Sequence, residues 1–202
     1  AWSVAGNAIG EVLRREYPNT SFTYEPGREQ SNILLVSQGR VQLGIAHAQL
    51  AGRALTGGEP FKQPVTNLRA IAVIDPQAAM QAFARQGSDF QSFEQVRRDK
   101  KPIRVALNQR GTMMALAGEE MLAANGIPVQ DIEAWGGKVH YVAYNEGLEM
   151  MKNKQVDLII NLLAFPSGQV AAATREMQVQ MIGLSPEALG KLDKSLGMTP
   201  VE

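Results

Sequence analysis

The apolar and polar positions of this chain spell out the same unit twice. Asn32 to Ala46 reads as an apolar helix, a polar turn Ser37-Gln38-Gly39-Arg40, and a buried-strand run Val41-Gln42-Leu43-Gly44-Ile45-Ala46. Gly147 to Asn161 repeats it, with Leu148, Met150 and Met151, the turn Lys152-Asn153-Lys154-Gln155, and the run Val156-Asp157-Leu158-Ile159-Ile160-Asn161. A strand-like stretch precedes each copy, Ser21–Glu25 before the first and His140–Asn145 before the second. A strand–helix–strand unit whose second strand is continuously apolar suits a parallel sheet covered by helices. Two such units predict two α/β lobes, and a cleft between lobes is where a small ligand binds.

The rest of the pattern fills in those lobes. Residues 3–16 read as an amphipathic helix with Ser3 as N-cap and Val4, Ile9, Val12 and Leu13 as its stripe. Ala48–Leu55 is a second helical stretch, Leu68–Ile74 a strand, and Met80–Arg85 alternates like its hairpin partner. Ser92-Phe93-Glu94-Gln95 is a capping box that starts a short helix. The charged break Asp99-Lys100-Lys101-Pro102 marks the crossover, which places the lobes at 1–100 and 101–184 with a final segment, 185–202. Beyond it come the strand Ile103–Leu107, a helix from Met113 to Ala124 stopped by Asn125-Gly126, and a turn at Phe165–Gly168. A helix Gln169–Arg175, a strand Val179–Leu184 and a helix started by Ser185-Pro186 complete the series, the last leading back towards the first lobe.

Composition narrows the function. Twenty basic and twenty acidic side chains cancel, so neither a nucleic acid nor an anionic membrane surface is expected as partner. Cysteine is absent, which excludes a disulfide, a thiolate metal site and a cysteine nucleophile. No apolar run approaches the roughly 20 residues of a membrane span. Ala1–Gly6 lacks the charged and apolar regions of a signal peptide, as a mature or a trimmed chain alike would, so this absence decides nothing.

The clearest place for ligand chemistry is the turn Asn108-Gln109-Arg110-Gly111-Thr112, between a strand and a helix. A helix begins with N–H groups lacking intrahelical partners, and its dipole favours an anion there. Gly111 admits close approach, Thr112 adds a hydroxyl, Met113 contributes its N–H and Arg110 a full charge, a set suited to a carboxylate or phosphate. The alternative is an ordinary βα turn with Thr112 as N-cap. Asn161, at the end of the second repeat strand, and Gln49, just after the first, hold matching places beyond strand ends, where polar residues face a crevice. Asn32 could reach the same space, and Trp2 could wall it. His47 and His140 are the only histidines and have no ligand partner at helical spacing, so neither a metal nor a cofactor is expected. Ser167 lacks the glycine spacing of a nucleophile elbow, and no P-loop or dinucleotide fingerprint is present.

Taken in order, the segments resemble the TAXI-type solute-binding proteins, extracytoplasmic receptors of a subclass of TRAP transporters. The matching pieces are Trp2-Ser3-Val4-Ala5-Gly6-Asn7-Ala8-Ile9, Glu29-Gln30-Ser31-Asn32-Ile33, Gly39–Ile45, Leu68–Ala72, Arg104–Leu107 with Gly111-Thr112, and Tyr144-Asn145-Glu146 through Val156-Asp157. The resemblance implies a two-lobed, type II-like periplasmic binding fold, a non-enzymatic role, a periplasmic location and delivery of a small carboxylate-bearing solute to TRAP membrane subunits. It carries Asn32, Gln49, Gly111, Thr112 and Asn161 over as site candidates. Where that family has a Ser-Gly-Thr turn, this chain has Arg110-Gly111-Thr112, which puts the polar contacts to the ligand in doubt. Relatives begin with a strand and glycine-rich loop before the position of Trp2 and continue past that of Pro200, so the chain is expected to be a fragment lacking part of lobe one. The competing assignments are the effector domain of a LysR-type regulator, which needs a helix-turn-helix upstream, and an enzyme of the porphobilinogen deaminase or phosphoribosyltransferase kind, which the missing cysteine and poor acid–base set disfavour.

Overall fold

A computed structural model of the chain describes residues 2–76, 78–164 and 167–198. The chain divides into two compact units after Pro76.

Among its described residues the first unit holds three helices, α1 (Trp2–Glu16), α2 (Glu29–Ser37) and α3 (Ala48–Thr56). Helix α1 already includes Trp2, so Ser3 is a helical residue and not its cap. The expected stripe is also displaced: Val4 and Val12 are exposed, and the buried positions are Gly6 and Gly10. Those two glycines lie under aromatic rings. A Cβ on Gly6 would stand 2.2 Å from Tyr24 and one on Gly10 2.3 Å from Phe22, so the segment carrying both rings rests on α1 where there is no side chain.

The three expected strands of this unit, 21–25, 41–46 and 68–74, form no ladder among the described residues. An apolar run signals a strand only if a neighbour takes up its N–H and C=O groups. No described segment of this unit pairs with them as a strand, and Leu43, Ile71, Val73 and Ile74 remain 45–81% exposed. The expectation of a sheet containing 41–46 therefore fails.

Among its described residues the second unit contains one sheet. Its elements are β1 (Ala78–Arg85), α4 (Phe93–Asp99), β2 (Arg104–Leu107), α5 (Met113–Ala124), α6 (Val129–Ala134), β3 (Lys138–Tyr141), α7 (Tyr144–Lys152), β4 (Leu158–Ala164), α8 (Gly168–Glu176), β5 (Val179–Met181) and α9 (Pro186–Leu196). The sheet runs in the order β3-β2-β4-β1-β5. Strand β2 is parallel to β3 and β4, and β1 alone runs against its neighbours β4 and β5. Residues 78–85 are thus not the hairpin partner of 68–74. Phe83 stands opposite Ile159 on one side and Met181 on the other, which makes β1 an interior strand of this sheet. With α4 it joins the second unit, whereas the sequence pattern had placed it before the crossover.

Both faces of the sheet are covered, as near-continuous apolar strands require. Alternation directs Ala106 and Ile159 to one face, where they pack with Phe83, Met151 and Val156 under α7. Gly147 lets α7 come close, since a Cβ there would meet Ala106 Cβ at 3.2 Å. Val105, Leu107, Leu158 and Ile160 turn to the other face, towards α5, and α9 packs on α5 in turn. The helix starts are largely those expected. Ser92 Oγ accepts from Gln95 N–H at 3.1 Å and Ser185 Oγ from Ala188 N–H at 3.2 Å. The return bond of the capping box is shifted by one residue, with Gln95 Oε1 accepting from Gln91 N–H at 2.9 Å. The turn expected at Phe165–Gly168 begins outside the described residues; within them Ser167 caps α8 by accepting from Val170 N–H at 3.2 Å.

Candidate ligand site

Parallel strands β2, β3 and β4 end at the same edge of the sheet, and the chain leaves β2 and β3 there for α5 and α7. Sequence offset fixes what meets at that edge. Val105 pairs with Leu158 and Ala106 with Ile159, so the first residue past β2, Asn108, comes level with Asn161. Asn161 therefore lies not at the end of its strand, as the pattern indicated, but within it, because β4 runs on to Ala164 against β1. Asn161 is 2% exposed. Its Oδ1 accepts from its neighbour's N–H, that of Leu162, at 3.0 Å and lies 3.4 Å from Asn108 Nδ2. Asn108 Oδ1 in turn accepts from Gln109 N–H at 2.7 Å.

Tyr144, the first residue of α7, closes this cluster. It had been read as strand; the strand stops at Tyr141 and the helix starts three residues later. Its hydroxyl is buried and has no hydrogen-bond partner among the described residues. Burial pushes the phenol up to about 12, so it is a neutral donor at pH 7. Asn108, Tyr144 and Asn161 line one small cavity of about 10 Å³ together with Ala106, Val142 and Gly147. That is room for about one water-sized group.

The turn singled out in the sequence is built differently from its expected use. Gly111 has φ +83°, a conformation that glycine adopts without penalty. Thr112 is the N-cap of α5, accepting from Ala115 N–H at 3.2 Å and donating to Gln109 O at 2.7 Å. Its hydroxyl proton is thereby committed within the turn. Met113 is fully buried, and its side chain belongs to the core. Arg110 does not extend as a free cation. Its guanidinium carbon lies 3.5 Å from the centre of the Tyr141 ring and its Nη1 3.6 Å from Glu119 Oε1, and the Tyr141 hydroxyl donates to that same carboxylate oxygen.

The remaining candidates belong to the first unit. Trp2 meets His47 edge-on, with ring centroids 5.1 Å apart, and His47 Nδ1 is hydrogen-bonded to the buried Glu29 carboxylate. Asn32 Nδ2 donates to Ile45 O at 3.0 Å, tying α2 to the extended segment after it. Gln49 is half-buried in the first turn of α3. Among the described residues no group of three or more His, Cys, Asp or Glu could hold a metal, and no helix is long and apolar enough to cross a membrane.

A family model described as NMT1-like matches residues 1–201. The chain belongs to the NMT1-like family. No protein of curated function matches this NMT1-like chain. Solved structures similar to it include the alkanesulfonate-binding protein from Xanthomonas axonopodis pv. citri bound to MOPS, at 16% identity and TM-score 0.57, over 90% of this chain and 56% of that one. Another is the binding-protein component of an ABC phosphonate transporter from Pseudomonas aeruginosa, at 11% identity and TM-score 0.58, over 93% of this chain and 66% of that one. The periplasmic aliphatic sulphonate-binding protein from Escherichia coli is similar at 16% identity and TM-score 0.50, over 87% and 51%. At these identities the likeness establishes the fold, that of type II-like periplasmic binding proteins. The NMT1-like chain spans 56–66% of the first two of these structures.

Of the cluster, Tyr144 was not among the sequence candidates, and Asn108 was named only as the first residue of the turn, with no role of its own. Asn108 had a usable signal, since it is the first polar residue after a buried parallel strand. Tyr144 had none, because its role depends on where β3 stops.

Proposed function

We propose that this NMT1-like chain forms part of an extracytoplasmic solute-binding receptor, which takes a small organic anion at the carboxyl edge of its sheet and delivers it to a membrane transporter. The observation that carries this is the buried Tyr144 hydroxyl, a donor with no partner among the described residues, set beside the carboxamides of Asn108 and Asn161. A neutral phenol and carboxamides recognise an oxyanion by fixed dipoles, and the first turn of α5 adds its own. With the Arg110 charge held by Glu119 and Tyr141, recognition would rest on these neutral groups, each stronger once water is excluded. Among the described residues no carboxylate or histidine lines the cavity, which favours capture over turnover. The finer assignment we propose is a TAXI-type receptor of a TRAP transporter in the periplasm, with a carboxylate as the ligand's anionic group. The alkanesulfonate and phosphonate proteins of similar fold make sulfonates and phosphonates the necessary comparison.

Denaturing the protein and identifying released small molecules by mass spectrometry tests the proposal directly. A thermal-shift panel of short carboxylates, alkanesulfonates and alkylphosphonates then ranks the anionic group. Loss of a charge-assisted bond costs about 1.5–3 kcal/mol, so Tyr144→Phe should weaken binding roughly ten- to a hundredfold. A ligand that binds Tyr144→Phe and Asn161→Ala as tightly as the parent, or that the protein converts to product, overturns the proposal.

A further inference from the structure

At the opposite edge of the same sheet, the segments leading into β2 and β4 and out of β1 enclose a second pocket. Its volume is about 270 Å³, and its walls include Arg85, Ser88, Phe90, Lys101, Ile103 and Asp157. One acceptor here is fully used, while two donors are not. The Asp157 carboxylate is taken: it accepts from Arg104 Nε at 2.9 Å, Arg104 Nη2 at 2.6 Å and the Arg104 N–H at 3.0 Å, with Arg85 Nη2 at 3.7 Å. By contrast, Arg85 Nε and Ser88 Oγ are both buried, and neither has a hydrogen-bond partner among the described residues.

The backbone brings these two residues together. Ser88 N–H donates to Arg85 O at 3.0 Å across a tight turn in which Gly87 takes φ +79°. Lys101 adds an ammonium group whose partner, Asp89, is 95% exposed, an ion pair in water that holds little of the lysine's capacity. The charged side chains lining the pocket, Arg85 and Lys101 against Asp89 and Asp157, balance. Phe90, Pro102 and Ile103 give it an apolar wall.

We propose that this pocket is a second ligand site, for a small oxyanion. A carboxylate, sulfate or phosphate group would accept from Arg85 Nε–H, the Ser88 hydroxyl and the Lys101 ammonium at once. Two donors buried without an acceptor lose hydration that only such an acceptor restores. The site shares no residue with the cavity at the carboxyl edge.

Inorganic phosphate titrated into the whole chain, followed by amide NMR and by calorimetry, tests this. The expected result is saturable binding that moves the amide signals of Gly87, Ser88 and Asp89, with sulfate and acetate competing. Ser88→Ala should weaken phosphate roughly tenfold and Arg85→Lys at least as much, while Lys194→Ala on α9 changes nothing. Should Arg85→Lys lower the melting temperature through its contact with Asp157, the Ser88→Ala result decides alone. Phosphate shifts that never saturate, that map to the carboxyl edge of the sheet, or that persist unchanged in Ser88→Ala overturn the proposal.

Discussion

Asn108 and Asn161 stand side by side where strand β2 ends, Nδ2 of the first 3.4 Å from Oδ1 of the second. Arg104 and Asp157 stand in the same relation where that strand begins, joined by two side-chain bonds of 2.9 and 2.6 Å. Both pairs continue the register that sets Val105 against Leu158 and Ala106 against Ile159. The ladder between β2 and β4 is therefore bracketed by an ion pair at one end and a carboxamide pair at the other. The ion pair anchors the register; the carboxamides are left at the edge where the candidate site forms.

That anchor sets the acid response. Burial alone pushes the Asp157 carboxyl up, but the hydrogen bonds from the Arg104 guanidinium and N–H, with the charges of Arg104 and Arg85, outweigh it and hold it below its ordinary value. A depressed carboxyl contributes stability that is present above its unfolded value of about 3.8 and is lost as pH falls through its lower folded value. Arg104 is 41% exposed, so the cost of Asp157→Asn at pH 7 should be about 1–3 kcal/mol, less than for a fully buried pair. Urea unfolding of parent and variant across pH 2–7 (about five units) checks this. The two stability curves should converge below about pH 4, and a constant offset down to the lowest pH would sink the assignment.

The phenols set the alkaline response. Burial pushes Tyr144 up to about 12. Burial also raises Tyr141, and its hydrogen bond to Glu119 raises it further. A raised phenol is favoured neutral in the fold, so its contribution is complete below the unfolded value of about 10 and is lost as pH rises through the folded value. Ultraviolet titration of tyrosinate should show the Tyr144 step near pH 12, absent in Tyr144→Phe. A Tyr144 step at the ordinary value of about 10 would mean that the hydroxyl is not buried.

Much of the second unit was legible because its signals are local. Thr112, Ser92 and Ser185 start helices by their own hydroxyls, and Gly126 at φ +73° stops α5 wherever the rest of the chain lies. Strand β1 was misplaced because Met80–Arg85 carries only an alternation, and alternation does not say which strands will flank it. The segments 41–46 and 68–74 show the same limit more severely, since an apolar run specifies burial but not a hydrogen-bonding neighbour. In the turn 108–112 the cap role of Thr112 was legible, but not the bond from its hydroxyl to Gln109 O. Arg110 had read as a ligand's cation because sequence cannot show that Tyr141 and Glu119, from other elements, already hold it.

Glycines separate close packing from mere chain freedom. A Cβ on Gly137 would stand 2.3 Å from the Ile103 carbonyl oxygen, a backbone atom that cannot swing aside where β3 joins β2. Gly190 lies exposed inside α9 with nothing within 4 Å of a Cβ. Gly137→Ala should therefore destabilise by about 2 kcal/mol or more, as overpacking does, and Gly190→Ala should stabilise by about 0.5–1 kcal/mol through helix propensity. Thermal melts of the two variants should move in opposite directions.

Thr112 provides the sharpest test of how the turn is used. Its hydroxyl donates to Gln109 O at 2.7 Å and accepts from Ala115 N–H at 3.2 Å, so it holds both the turn and the first helical turn of α5. Thr112→Val removes both bonds at a position only 8% exposed and should cost about 1–2 kcal/mol of stability, whatever the protein binds. Thr112→Ser keeps the hydroxyl and should retain most of that stability. Ligand binding, measured by calorimetry with the strongest anion from the panel, separates two roles for the residue. If Thr112 acts only as the cap, Thr112→Ser binds as the parent does, and Thr112→Val loses affinity only as far as the start of α5 loosens. If its oxygen also touches the ligand, as the turn sequence suggests, Thr112→Val should lose roughly ten- to a hundredfold while amide exchange in the first turn of α5 stays slow. Unchanged affinity in Thr112→Val, with the fold intact, would remove Thr112 from the site and leave Asn108, Tyr144 and Asn161 as its polar lining.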